Sequence, residues 1–242
     1  MRNLILIIFA LFIFGCSKSA PELMNTAQHY LDQNDADKAI KDLNLLLQKF
    51  PNDSLASQAQ YKLVNIYKNW KFDPQNVLIN LKLTTDNYPN SIHSNRAQKE
   101  IDAFPEWIIN NAESLRKRKM NNKSINNLNY MIEKYPSHEL SSKARYIIGD
   151  IFMNDLRDFD NALIQYGLVI ENYSDSKEES LAQFMIGYIY ANILNDFEKA
   201  REEYSKFISR FPNHELTPSV KFEVENLGKD INDIPALKHI TS

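Results

Sequence analysis

The chain has 242 residues, a formal net charge of −3 and five glycines. So small a charge leaves no electrostatic footprint for nucleic acid, and so few glycines exclude β-rich or glycine-loop architectures in favour of helices. A single cysteine, Cys16, leaves the fold without disulfides or a thiolate metal site.

The first predicted element is a signal peptide over residues 1–15. One arginine precedes an apolar run from Leu4 to Phe14. That run is too short for a bilayer, which needs about 20 residues, and it suits a secretory h-region. It ends in Ile13-Phe14-Gly15-Cys16, which resembles a bacterial lipobox. The resemblance implies a covalent lipid on Cys16. Several acyl chains there would anchor the protein stably where one is marginal. Ser17, with no aspartate after the cysteine, resembles outer-membrane sorting in Gram-negative lipoproteins. An uncleaved anchor, or cleavage after Ser19, is the competing reading. Residues 16–21 form a lipidated linker to a first helix near Pro21-Glu22.

Helical repeats follow. Phe50-Pro51, Tyr88-Pro89, Tyr135-Pro136, Tyr173-Ser174 and Phe211-Pro212 recur at intervals of 38, 47, 38 and 38 residues. A period in this range marks stacked helical hairpins or blades. Ala144, Gly149, Ala162 and Tyr166 match Ala182, Gly187, Ala200 and Tyr204 at an offset of 38. The small residue lets two helices approach, the aromatics fill the gap between hairpins, and proline stops the second helix. The pattern resembles the tetratricopeptide motif L-G-x2-Y…A-x3-F…P. It implies an all-α, right-handed α-solenoid of about five hairpins with an extra helix in the middle.

Residues 22–90 hold two hairpins and residues 105–212 three. Between them, Pro89 to Ala112 is ten residues longer than the other connections, so residues 91–104 read as an inserted or extended helix. From small residue to closing position the repeats count 24 (Ala27–Pro51, Ala112–Pro136) or 25 (Val64–Pro89, Gly149–Ser174, Gly187–Pro212). The additional residue is expected in the turn inside the hairpin. Ser174, in place of proline, is expected to soften its helix end. Residues 213–229 form a capping helix with Val220, Val224 and Leu227 on one face, and residues 230–242 a tail.

No chemistry-bearing motif stands out. His138 and His214 lie in Pro-Ser-His-Glu-Leu and Pro-Asn-His-Glu-Leu, which reads as a repeated turn. There is no His-Glu-x-x-His pair, phosphate-binding glycine loop or nucleophile elbow. The expectation is a non-catalytic chain with no metal, no small-molecule substrate and no cofactor beyond the lipid. Candidate partner-binding residues are Asn69, Asn154 and Asn192, five positions after the small residue of the first helix in repeats two, four and five (Asp32 and Lys117 stand there in repeats one and three), with Asn65, Asp150 and Tyr188. Asparagine amides along a groove could grip an extended peptide backbone; helix termination is the alternative. Arg116, Lys117, Arg118 and Lys119 form a candidate basic patch for an acidic partner or anionic headgroups. The alternative there is a solvated helix C-terminus complementing the macrodipole.

The lipobox, the repeats that follow it at once, and the long segment from Tyr88-Pro89-Asn90-Ser91 to Tyr135-Pro136 together resemble the BamD family of outer-membrane assembly lipoproteins. Ala59-Gln60-Tyr61-Lys62-Leu63 is similar to that family's second-repeat helix. These motifs are shared with the periplasmic repeat protein of the Tol-Pal system. The resemblance implies an envelope protein on the periplasmic face of the outer membrane. Its expected partners are a β-barrel insertase or extended peptide segments. An adaptor for Tol-Pal, division or peptidoglycan work, and a recruiting subunit for a periplasmic enzyme or transporter, are the alternatives.

Overall fold

A computed structural model of the chain describes residues 18–229. Cys16 with its lipobox, and the tail from residue 230, lie outside the described residues. All regular structure among the described residues is helical, and the chain divides into two compact units between Asp102 and Ala103.

The first unit holds α1 (Ala20–Asp32), α2 (Ala36–Lys49), α3 (Ala56–Ile66), α4 (Pro74–Asn87) and α5 (Ile92–Asp102). The second holds α6 (Phe104–Lys117), α7 (Asn121–Lys134), α8 (Leu140–Asp150), α9 (Phe159–Asn172), α10 (Lys177–Asn192), α11 (Phe197–Arg210) and α12 (Thr217–Asn226). Paired helices pack as hairpins α1/α2, α3/α4, α6/α7, α8/α9 and α10/α11, and within each unit every hairpin stacks on the next. Each unit is thus a stretch of α-solenoid.

One turn design joins every pair. A left-handed residue comes first: Asn34, Phe72, Lys119, Arg157 and Asn195, with φ between 53° and 60°. The N-cap of the second helix follows directly. In four hairpins it is an aspartate (Asp35, Asp73, Asp158, Asp196) whose carboxylate accepts the N–H three residues on, at 3.0–3.1 Å. Met120 fills the place in the third hairpin and cannot cap with its side chain.

The additional residue of the 25-count repeats is not in this turn. In the second and fourth hairpins the first helix widens at its end into a π-helical turn, Tyr67–Lys71 and Ile151–Leu156. The N-cap amide then bonds a carbonyl six residues back: Asp73 to Tyr67 at 3.1 Å and Asp158 to Phe152 at 2.8 Å. The 24-count hairpins close over five residues, Asp35 to Tyr30 and Met120 to Leu115. Capping chemistry holds the turn constant, so the helix end absorbs the insertion as a π-bulge. The fifth hairpin absorbs it at Ile193 and Leu194, whose amides share the Ile189 carbonyl at 3.0 Å.

The serine at 174 leaves its helix end unchanged. The closing residues Phe50, Tyr88, Tyr135, Tyr173 and Phe211 all have φ between −123° and −135°. The difference comes one residue later: Asp175 is left-handed at φ 66°, and its N–H donates to the buried Glu179 carboxylate at 2.7 Å.

The long connection is half a hairpin. Ala59, Ala97, Ala144 and Ala182 each stand nine residues after a closing aromatic, and α5 packs on α3 and α4 as a following first helix would. It stops at Asp102, the register that Val64, Gly149 and Gly187 occupy elsewhere. Among the described residues of the first unit no second helix follows it.

Candidate functional site

In the second unit the first helices α6, α8 and α10 present the residues next to their small positions: Glu113, Asp150 and Tyr188. A cavity of about 440 Å³ opens between α6 and α8, lined by Glu113, Arg116, Lys117, Lys119, Ile147, Asp150 and Asp155. Arg116 organises it. Its Nε donates to Asp155 Oδ2 at 2.5 Å and its Nη2 to the Asp150 carbonyl at 3.2 Å, while Nη1 lies 3.8 Å from Asp150 Oδ2. Lys119 Nζ approaches the other Asp155 oxygen at 3.3 Å. The buried Tyr166 hydroxyl donates to Asp150 Oδ1 at 2.8 Å.

The two carboxylates respond oppositely. Burial, the largest influence on Asp150, holds its carboxyl above the ordinary aspartate range, against the pull of Tyr166 and Arg116. Burial pushes Asp155 the same way, but hydrogen bonds and charge from Arg116 and Lys119 outweigh it and hold that carboxyl low. Asp155 reaches Arg116 from the π-helical turn. Sequence reading passed over Asp155 because that geometry is not written in residue types; the count of 25 was the one available signal.

Three of the four residues of the basic run, Arg116, Lys117 and Lys119, line this cavity. Arg116 turns inward to Asp155, Lys119 takes the left-handed turn position, and Lys117 and Arg118 are exposed. The candidate asparagines are all exposed. Asn65 and Asn69 belong to the first unit; Asn154 and Asn192 share the second with Asp150 and Tyr188. All three of Asn69, Asn154 and Asn192 lie at the ends of first helices, as the helix-end alternative has it: Asn69 and Asn154 inside the terminal π-helical turns, and Asn192 as the last residue of α10, where its amide donates to the Tyr188 carbonyl at 3.3 Å. Lys71, in the same turn as Asn69, pairs with Asp37 at 2.6 Å.

The two repeated histidines act as turn formers. Nδ1 of His138 accepts from Leu140 N, and Nδ1 of His214 from Leu216 N, each at 3.2 Å. Asp53 plays the same part in the first unit, accepting from Leu55 N at 2.8 Å. A second cleft of about 720 Å³ lies between the turns at 136–143 and 172–178, with Ser142 bonded to Glu178 at 2.8 Å on its wall.

Comparison with known proteins agrees with this architecture. The model of the YfiO family, outer membrane lipoproteins, matches residues 16–173, and a tetratricopeptide repeat model matches residues 181–214. Similar solved structures include a tetratricopeptide repeat protein from Parabacteroides merdae, 16% identical over 87% of this chain and 74% of that one, TM-score 0.37. The TPR2AB domain of yeast Sti1, in complex with pHSP90, is 15% identical over 88% and 86%, TM-score 0.38. PilF of Pseudomonas aeruginosa is 9% identical over 92% and 96%, TM-score 0.37. No curated protein matches the chain. With more than half its length under one family model and its helices paired as tetratricopeptide hairpins, the chain belongs to the YfiO family, the BamD-like outer membrane lipoproteins.

Proposed function

We propose that this chain is a non-catalytic, protein-binding scaffold for the assembly of outer-membrane β-barrels, held to the periplasmic face of the outer membrane by a lipid on Cys16. The observation that carries the reading is the family match over residues 16–173, which begins at the lipobox cysteine. The site supports it. Asp150 and Asp155 are committed to Tyr166, Arg116 and Lys119, an arrangement suited to holding shape rather than transferring protons. Stacked hairpins supply a long face for protein recognition, with Asn154, Tyr188 and Asn192 exposed along it. The partners are a β-barrel insertase or extended segments of barrel precursors.

The test is affinity purification of the full chain from its own envelope, read by mass spectrometry. A large outer-membrane barrel protein should be the main companion. Recovery instead of Tol-Pal, division or peptidoglycan proteins, or of a periplasmic hydrolase or transporter, overturns the assignment to barrel assembly.

A further inference from the structure

Within the first unit α5 is held differently from its neighbours. It buries two residues, Ser94 and Ala97, whereas α1 and α2 bury five each, α3 seven and α4 six. Ile92 at its start is 78% exposed. An alanine and a serine contribute little of the apolar burial that holds helices in place. The grip on α3 is instead polar and converges on one ring. The Tyr61 hydroxyl donates to the Glu100 carboxylate, and the Lys68 ammonium pairs with the same carboxylate. The His93 ring stacks on Tyr61 at 5.5 Å between centroids, and the Arg96 guanidinium lies 5.5 Å from the ring centre. His93, Arg96 and Glu100 follow one another at helical spacing along a single face of α5. Beneath them Tyr61 is 5% exposed.

We propose that α5 is a releasable latch: it undocks from α3 and α4 while α1 to α4 stay folded, and the Tyr61–Glu100–Lys68 cluster is its catch. An element with few buried apolar contacts opens locally at a fraction of the global unfolding free energy. Undocking uncovers the Tyr61 ring and the side of α3 that carries it. Local opening alternates a closed first unit, with Tyr61 covered, and an open one.

Hydrogen exchange of the full chain, followed by mass spectrometry at neutral pH, tests this. Amides of α5 should exchange at least roughly tenfold faster than those of α3 and α4. Glu100→Ala should accelerate α5 by a further factor of roughly ten or more, the expected effect of losing hydrogen bonds to a charged group, with α1 to α3 unchanged. Tyr61→Phe keeps the ring and its stacking and should act in the same direction more weakly. Protection of α5 equal to that of α3 and α4 overturns the proposal. So does an acceleration, in either variant, that spreads evenly over the whole first unit.

Discussion

In the fourth and fifth hairpins a tyrosine fills the space that a glycine leaves. A Cβ on Gly149 would come within 2.7 Å of the Tyr166 ring, and one on Gly187 within 2.5 Å of the Tyr204 ring. The first three hairpins fill the same contact with a less unequal pair: Ala27, Val64 and Ala112 on the first helix, Leu43, Leu81 and Leu128 on the second, all buried. Gly187→Ala would ordinarily favour a helix by up to about 1 kcal/mol; here overpacking should dominate and lower stability by about 1–3 kcal/mol. Adding Tyr204→Leu recreates the leucine arrangement and should recover part of that loss. Urea denaturation of the two single variants and the double variant checks it. Additive effects, or a Gly187→Ala variant as stable as the parent, would contradict the size exchange. This pairing was readable because glycine and tyrosine recur together at an offset of 38. A second register was not. Gln60 bonds Asn80 at 2.7 Å, Arg145 bonds Gln165 at 3.0 Å and Gln183 bonds Glu203 at 2.7 Å, each across one hairpin. In the third hairpin Ile108 takes the first-helix place, and the fully buried Asn127 amide finds no protein partner among the described residues. Polar residues at these positions look like ordinary surface in a linear chain, and only the packed hairpin shows that they face one another.

At the scale of elements, the hairpin turn depends on ionised aspartates. The carboxyls of Asp35, Asp158 and Asp196 are held below their ordinary value by hydrogen bonds from the side chain, and then the backbone N–H, of the residue three positions on: Lys38, Asn161 and Lys199. A carboxyl depressed in the folded state stabilises fully above its unfolded value. That stabilisation is lost as pH falls through the lower, folded value. Stability to urea should therefore decline as pH drops below about 4, the ordinary aspartate range. Replacing all three residues by asparagine, which caps helices about as well, should leave much of the neutral-pH stability and flatten the acid limb. Parallel declines in the parent and the triple variant would show that the caps are not responsible. The caps were within reach of sequence reading, since Asp-(Phe/Pro) recurs at the start of second helices. The π-helical turns were not, because a surplus residue can be absorbed by the turn or by the helix end. What decides is that the left-handed residue and its capping aspartate must stay adjacent.

Across the whole molecule the repeat count carried the all-helical architecture. The long connection was open to two readings, an added helix or a longer first helix. The alanine register of α5 makes it a first helix that ends where its partner would begin. Upstream, α1 starts at Ala20, four residues after Cys16. Four extended residues span at most about 14 Å, so a lipid on Cys16 would hold the first hairpin at the membrane surface. The described apolar core begins at Ala20, downstream of Cys16. Anchoring and folding should then separate cleanly. Labelling with a fatty-acid analogue should tag the parent chain and not Cys16→Ala, and the variant should leave the membrane fraction while unfolding at the same temperature as the parent chain cleaved before Cys16. Labelling that persists in Cys16→Ala would move the attachment elsewhere. A variant that remains membrane-bound without label would instead assign the membrane association to the apolar segment Leu4 to Phe14.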